Sequence, residues 1–123
     1  MQLGSVLPIL RIFDEEKARE FYEGFLGFTF DWLHRFEPGT PLYAQVSRGT
    51  ARLHLSEHYG DASPGSAVRI DVDGIEAYHA ELTEKRYKYY RPGIEKMPWG
   101  NREMKIIDPF FNRIIFVAIE AKE

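Results

Sequence analysis

Two segments of the chain have the residue spacing of an amphipathic helix. The first follows Asp14, a residue type that commonly caps helices, and ends at Gly27. In the second, Asp73 and Glu76 have the spacing of a capping box, and the helix is predicted to end near Lys85. The apolar positions of the two helices are Ala18, Phe21, Tyr22, Phe25 and Leu26, and Ile75, Tyr78, His79 and Leu82.

The other segments show the patterns of strands and are separated by turns that contain Gly or Pro. The predicted strands cover residues 7–13, 28–34, 42–47, 51–57, 68–72, 88–90, 103–107 and 112–119. Each helix follows one strand and precedes three, so the same order occurs twice. We therefore predict an α+β fold in which two βαβββ modules form a curved mixed sheet. The modules, about 1–58 and 66–123, would make up a single domain 1–123.

Alternation along the strands predicts one sheet face that packs under the helices and one polar face. Leu53 and Leu55, for example, alternate with Arg52 and His54. A curved sheet with a charged open face would form a binding cup, and a half-exposed sheet with solvated ion pairs is the alternative explanation. The arginines predicted on the open face are Arg11, Arg52, Arg69 and Arg113.

Composition and charge narrow the classes of function. The 123 residues include 16 basic and 19 acidic side chains that are interspersed, so the clustered positive charge of a nucleic-acid-binding protein is missing. No apolar run approaches the roughly 18 residues of a membrane span, and residues 1–5 lack the features of a signal peptide, which predicts a cytoplasmic protein that does not bind membranes. The absence of Cys excludes disulfides and thiolate metal sites.

A series of short motifs gives the chain a family resemblance. In order, they are Leu7-Pro8-Ile9-Leu10 before Asp14, Ala18-x-x-Phe21-Tyr22, Phe25-Leu26-Gly27-Phe28, Asp31-Trp32, Pro98-Trp99-Gly100 and Asp108-Pro109-x-x-Asn112-Arg113. Each motif is weak alone, but the complete order within a duplicated pattern resembles the vicinal oxygen chelate superfamily. This superfamily contains glyoxalase I and the bleomycin resistance proteins. The greatest similarity is to the metal-free bleomycin resistance branch.

The resemblance implies a homodimer whose subunits exchange arms and hold ligands in crevices lined by aromatic side chains. A domain of this size has little room for a deep pocket of its own, which also favours a ligand between subunits. One departure is Phe111, which stands where the family usually has Gly. Asn112 tolerates a left-handed backbone, so we expect it to preserve the turn.

The resemblance also provides a test for a metal site. Enzymes of the superfamily place one metal ligand on the first and last strand of each module. Those positions fall here on Leu7, His54, Ala67 and Ile115, of which only His54 could coordinate a metal. One neutral imidazole does not hold a catalytic metal, so we predict no metal, no cofactor and no catalytic residue.

A displaced metal site is the alternative. His54, Glu57 and His58 could form it, with His34 as a further candidate, and the protein would then be a metal-dependent lyase or dioxygenase. The same residues spell the H-x-x-E-H motif of some zinc proteases. That motif requires a helix, whereas the segment here has the two-residue period of a strand.

Aromatic residues mark the predicted ligand site. Trp32 and Trp99 are the only tryptophans, and both lie in or beside turns, where they suit stacking against a ligand or, equally, filling a dimer interface. Acidic residues, Asp31, Glu37, Glu57 and Asp61, would suit a cationic drug, whereas the arginines would suit an anionic metabolite. The expected ligand-binding residues are Trp32, Phe36, Tyr43, His54, Arg69, Trp99 and Arg113.

Three functional hypotheses follow from these patterns. The leading one is a metal-independent protein that binds and sequesters a small molecule, with antibiotic resistance as a consequence. The second is the metal-dependent enzyme with its displaced site. The third is a protein whose dimer surface, rather than its crevice, is functional.

Overall fold

The predicted order of strand, helix and three strands occurs twice in the computed structural model, which describes residues 1–87 and 91–119. The first module contains β1 (Ile9–Arg11), the helix α1 (Glu15–Ala18, continued by Arg19–Phe25), β2 (Thr29–His34), β3 (Tyr43–Arg48) and β4 (Ala51–Ser56). The second contains β5 (Ala67–Asp71), α2 (Ile75–Lys85), β6 (Ile94–Lys96), β7 (Arg102–Ile107) and β8 (Arg113–Ala118). The predicted strand 88–90 lies outside the described residues, and β6 follows it in a segment that was not predicted to be a strand.

Each module forms its own four-stranded mixed sheet. The strand orders are β1-β4-β3-β2 and β5-β8-β7-β6, so the two sheets have the same topology. In each sheet the first pair is parallel and the remaining pairs are antiparallel. The predicted α+β class with two modules is confirmed. Neither helix in the described part of the chain has the length and apolar character needed to cross a bilayer.

The first helix, α1, has the predicted cap and the predicted buried face. The Asp14 carboxylate accepts a hydrogen bond from the Lys17 backbone N–H at 2.8 Å, and an α-helical turn over Glu15–Ala18 continues in π-helical geometry over Arg19–Phe25. All five predicted apolar side chains of this helix are buried. Gly27 ends the helix with φ +79°, and an added Cβ there would lie 2.5 Å from Arg48 Nη1.

The start of α2 corrects one prediction. Asp73 and Glu76 do not form a capping box, because the N-cap residue is Gly74, whose φ is +85° and which is not capped by any side chain. The left-handed backbone at Gly74 separates Asp73 from the first turn, and the Glu76 carboxylate pairs with Arg102 instead. The helix ends at Lys85 as predicted.

The apolar face of α2 corrects a second detail. Ile75, Tyr78 and Leu82 are buried as predicted. His79 is only partly buried, and its Nε2 donates a hydrogen bond to the Pro92 carbonyl at 2.9 Å. This histidine therefore has a polar contact at the margin of the core.

A buried carboxylate joins the two modules. Asp108, in the turn between β7 and β8, accepts a hydrogen bond from the Tyr22 hydroxyl of α1 at 2.6 Å. The backbone N–H groups of Phe110 and Asn112 and the Asn112 side-chain amide also donate to Asp108. The same amide donates to the Arg11 carbonyl at 2.8 Å. The Asp108 side chain thus connects α1 to the second module, and the Asn112 side chain bonds the backbone of β1.

The backbone of the β7–β8 turn also differs from expectation. Phe111 itself has the left-handed conformation, with φ +72°, whereas Asn112 does not have a positive φ. Asn112 is buried with its backbone N–H and side chain bonded to Asp108, so the conformation that the turn requires falls on the preceding residue. A residue with a Cβ is strained there by about 1–2 kcal/mol. The turn is preserved at the cost of that strain.

We predict that Tyr22→Phe lowers the free energy of unfolding by about 1–3 kcal/mol, because it removes one donor from a buried carboxylate. Urea unfolding at neutral pH measures the change. Tyr59→Phe is the control, because this side chain is 94% exposed and its variant should unfold like the wild type. Equal stability of both variants would contradict a structural role for the Tyr22 to Asp108 hydrogen bond.

We also predict that Phe111→Gly raises the free energy of unfolding by about 1 kcal/mol, because glycine adopts the left-handed backbone without strain. Phe111→Ala is the matched control, because alanine removes the exposed ring but keeps the Cβ. Thermal and urea unfolding compare the two variants. A gain in stability for the alanine variant as large as for glycine would attribute the effect to the ring instead of the backbone.

Candidate ligand-binding site

A bulge in β2 brings an acidic and an aromatic side chain to the same face of the first sheet. The pairing of β2 with β3 shifts between Phe30 and Trp32, which leaves Asp31 as an extra residue. Trp32 pairs with Gln45, and the Asp31 carboxylate accepts a hydrogen bond from the Gln45 side chain at 3.0 Å. Bulges commonly redirect side chains beside functional sites.

A chain of hydrogen bonds crosses this face from β2 to β4. Asp31 accepts from Gln45 Nε2 and, at 3.0 Å, from the Ser47 hydroxyl. Gln45 Oε1 lies 3.1 Å from His54 Nε2, and His54 Nδ1 lies 2.6 Å from the Tyr43 hydroxyl. The register places His54 directly opposite Gln45, so these contacts follow from the pairing of β3 with β4.

Aromatic rings cover the same chain of hydrogen bonds. Trp32 stacks on Tyr43 with ring centroids 6.0 Å apart and an interplanar angle of 15°. The edge of His54 approaches Trp32 at 5.3 Å. Trp32 remains 42% exposed, so part of the indole surface is available to a ligand. We call Asp31, Trp32, Tyr43, Gln45 and His54 the first-sheet cluster.

Hydrogen bonds, burial and a nearby charge shift the pKa values of three side chains in the first-sheet cluster. Hydrogen bonds from Gln45 and Ser47 lower the pKa of Asp31, so the group is a carboxylate. Partial burial, assisted by the positive charge of Arg52, lowers the pKa of His54, which is therefore neutral. Burial raises the pKa of Tyr43, so it remains a phenol.

The structure brings three of the seven predicted ligand-binding residues together, namely Trp32, Tyr43 and His54. Phe36 is 80% exposed, and its ring centroid lies 5.2 Å from that of His34 with the two rings nearly perpendicular. The remaining predicted residues are Arg69, Trp99 and Arg113. They belong to the second module and make no side-chain contact with the first-sheet cluster in the described part of one chain.

The three predicted residues of the second module, Arg69, Trp99 and Arg113, lie in different environments. Arg69 pairs with Glu103 at 2.9 Å. Trp99 lies at the tip of the β6–β7 hairpin and is 55% exposed, and Arg113 is exposed at the start of β8. Sequence reasoning did not include Gln45 or Ser47 in the site, although the alternation of β3 places both on the face of Tyr43.

The donor set does not fit the metal site of the superfamily enzymes. Of the four positions that hold the metal in those enzymes, only His54 has a side chain able to coordinate one. Both of its ring nitrogens face protein partners. Glu57 accepts hydrogen bonds from the Leu42 backbone N–H at 2.7 Å and from Arg35 at 3.3 Å. Residues 1–87 and 91–119 contain no group of three or more His, Asp or Glu side chains placed to hold a metal. Among the described residues, His54, Glu57 and His58 are therefore not placed around a common metal position.

A separate cleft of about 940 Å³ lies between the two sheets. It is bounded by the β3–β4 turn, β5 and α2, and Val6 and Pro8 contribute to its wall. Apolar side chains line much of the cleft, and its charged lining residues are Arg48, Arg52, Arg69, Asp71, Asp73 and Glu81. None of the residues of the first-sheet cluster lines this cleft, whereas Arg69, one of the seven predicted ligand-binding residues, does.

The fold and the site define an α+β protein of two equivalent modules with one polar, aromatic sheet face. The sequence matches the family described as Glyoxalase superfamily protein over residues 1–123. The chain therefore belongs to the glyoxalase superfamily, within the vicinal oxygen chelate superfamily that the motifs resemble. None of the curated proteins matches the sequence.

Solved structures show the same fold. A bleomycin-binding protein complexed with bleomycin is 20% identical, with a TM-score of 0.74. The alignment covers 96% of this chain and 100% of the bleomycin-binding protein. A bleomycin resistance determinant encoded on transposon Tn5 is also 20% identical, with a TM-score of 0.75 and coverage of 97% and 100%. A glyoxalase-related enzyme from Clostridium phytofermentans is 20% identical, with a TM-score of 0.75 and coverage of 98% of both chains. At these identities the similarity establishes the fold alone.

Proposed function

We propose that this protein is a metal-independent, cytoplasmic homodimer that binds and sequesters a small molecule and has no catalytic residue. The observation that carries the proposal is the state of His54. Its two ring nitrogens lie 2.6 Å from the Tyr43 hydroxyl and 3.1 Å from Gln45 Oε1, so both nitrogens face protein partners and neither faces a free coordination position. The corresponding positions in the other strands carry aliphatic side chains.

The composition of the first-sheet cluster supports a role in ligand binding, and not in catalysis. A stacked pair of Trp32 and Tyr43 offers a flat apolar surface, and aromatic surfaces of this kind contribute much of the binding energy in crevices. Structures with the same fold include a bleomycin-binding protein and a bleomycin resistance determinant. We therefore extend the proposal to antibiotic resistance by sequestration.

The proposed dimer would complete the site. Arg69, Trp99 and Arg113 lie on the second module and form no hydrogen bond, ion pair or ring contact with the first-sheet cluster among the described residues. A second subunit would bring its copies of these residues to the same ligand. Strands β1 and β5 end their sheets with one edge unpaired in the described residues, and edges of this kind favour association. The exposed apolar side chains of Leu3 and Val6 precede β1. We propose modules of about 1–58 and 66–123 within a single domain 1–123.

Replacing both tryptophans tests the crevice. We expect the Trp32→Ala, Trp99→Ala double variant to lose about tenfold or more in affinity for metal-free bleomycin, because it removes the two exposed stacking surfaces. Calorimetric titration measures the affinity, and light scattering checks that the variant remains dimeric. Phe111→Ala is the matched control, because this exposed ring of the β7–β8 turn belongs to none of the predicted ligand-binding positions. Unchanged affinity in the double variant, or no saturable binding by the wild type, would contradict the proposal.

Elemental analysis tests metal independence. We expect freshly purified protein to contain far less than one equivalent of Zn, Ni, Fe or Mn per chain, and chelator treatment to leave its stability and ligand affinity unchanged. His54→Ala provides the control, because it removes the only candidate ligand among the superfamily positions. A stoichiometric metal that is lost in this variant would instead establish a metal centre at His54.

A further inference from the structure

The Asp31 carboxylate determines the direction of every hydrogen bond in the first-sheet cluster. A carboxylate can only accept, so Gln45 must direct its Nε2 donor to Asp31, where the distance is 3.0 Å. This orientation leaves Gln45 Oε1, which also can only accept, 3.1 Å from His54 Nε2. His54 Nε2 must therefore carry the hydrogen.

The tautomer of His54 then determines the role of Tyr43. In a neutral imidazole with hydrogen on Nε2, Nδ1 has a lone pair and no hydrogen. The Tyr43 hydroxyl lies 2.6 Å from Nδ1, so Tyr43 donates its single proton to the imidazole. The opposite direction would place two acceptors face to face, either between His54 and Gln45 or between Gln45 and Asp31.

We propose that Gln45 is a positioning residue that makes Tyr43 Oη a hydrogen-bond acceptor for the ligand, and that the ligand is a planar molecule with an N–H or O–H donor. The inference rests on the proposed ligand-binding function and specifies the ligand class at that site. Tyr43 has no second proton to donate, whereas its oxygen retains lone pairs. The partly exposed Trp32 ring beside Tyr43 suits a planar group.

Three charged groups act on the first-sheet cluster. Asp31 is negative, and the positive charge of Arg52, two residues before His54 in β4, helps to lower the Asp31 pKa. The negative charge of Asp61 acts on Tyr43 and adds to the rise in the pKa of its hydroxyl. A pair of neutral probes therefore separates the effect of a hydrogen-bond donor from that of ligand charge.

Nitrogen NMR of protein labelled with ¹⁵N-histidine tests the positioning role without a ligand. We expect wild-type His54 to show a protonated Nε2 and an unprotonated Nδ1 at neutral pH. Gln45→Met removes the acceptor at Nε2 and the donor to Asp31, and should give a mixture of the two tautomers. Ser47→Ala is the matched control, because Ser47 bonds the same carboxylate outside the path to His54 and its variant should keep the wild-type tautomer.

An Nδ1–H tautomer in the wild type would overturn the inference, as would a tautomer that does not change in Gln45→Met. Backbone amide spectra establish that each variant is folded. Because the wild-type measurement needs no substitution, a variant that fails to fold does not remove the test.

Two planar probes test the ligand class. Indole and benzofuran have nearly the same shape, but only indole has an N–H donor. We expect the wild type to bind indole about fivefold more tightly than benzofuran, the ratio expected for one neutral hydrogen bond, and Tyr43→Phe to abolish the preference. Chemical-shift titrations measure both affinities. Equal binding of the two probes by the wild type would overturn the ligand class.

The outcomes separate this inference from the proposed function. Saturable probe binding together with the Nδ1–H tautomer would support the crevice and overturn the role of Gln45. The Nε2–H tautomer without binding of either probe would support the role of Gln45 and count against both the crevice and the ligand class.

Discussion

The relative placement of the two modules depends on the buried carboxylate of Asp108. Burial raises the pKa of this group, and hydrogen bonds from Tyr22, Phe110 and Asn112 act against that shift. A buried carboxylate that loses a partner is costly, so the network is stable only when its donors from both modules are in place. Because the donors come from α1 and from the β7–β8 turn, this requirement holds the two sheets together.

A second set of hydrogen bonds between the modules lies at the C-terminal end of α1. Arg48 donates to the Leu26 carbonyl at 2.8 Å and forms two hydrogen bonds with Glu81 of α2. Tyr78 donates to the same carbonyl at 2.7 Å. The close approach of Arg48 requires the absence of a side chain at Gly27. The end of α1 is thus bonded to both the β3–β4 hairpin and α2, which leaves the opposite face of the first sheet to carry the polar cluster.

The candidate site was only partly predictable from sequence. Trp32 and Tyr43 were identified by their aromatic character, and His54 by the alternation of β4. The bulge at Asp31 interrupts the two-residue period, so alternation could not place Asp31 and Trp32 on the same side. Gln45 was missed for a different reason, because its importance comes from two hydrogen bonds made to residues on neighbouring strands.

Sequence alone determined the repeated order of elements, the buried face of α1 and its cap at Asp14, because these depend on periodicity and on neighbours within one turn. Tertiary structure decided the left-handed backbone of Phe111 and the start of α2 at Gly74. It also decided the pairing of Tyr22 with Asp108, 86 residues apart, and the direction of hydrogen bonding at His54. These features depend on which donors and acceptors meet after distant segments pack, and local spacing carries no information about such meetings.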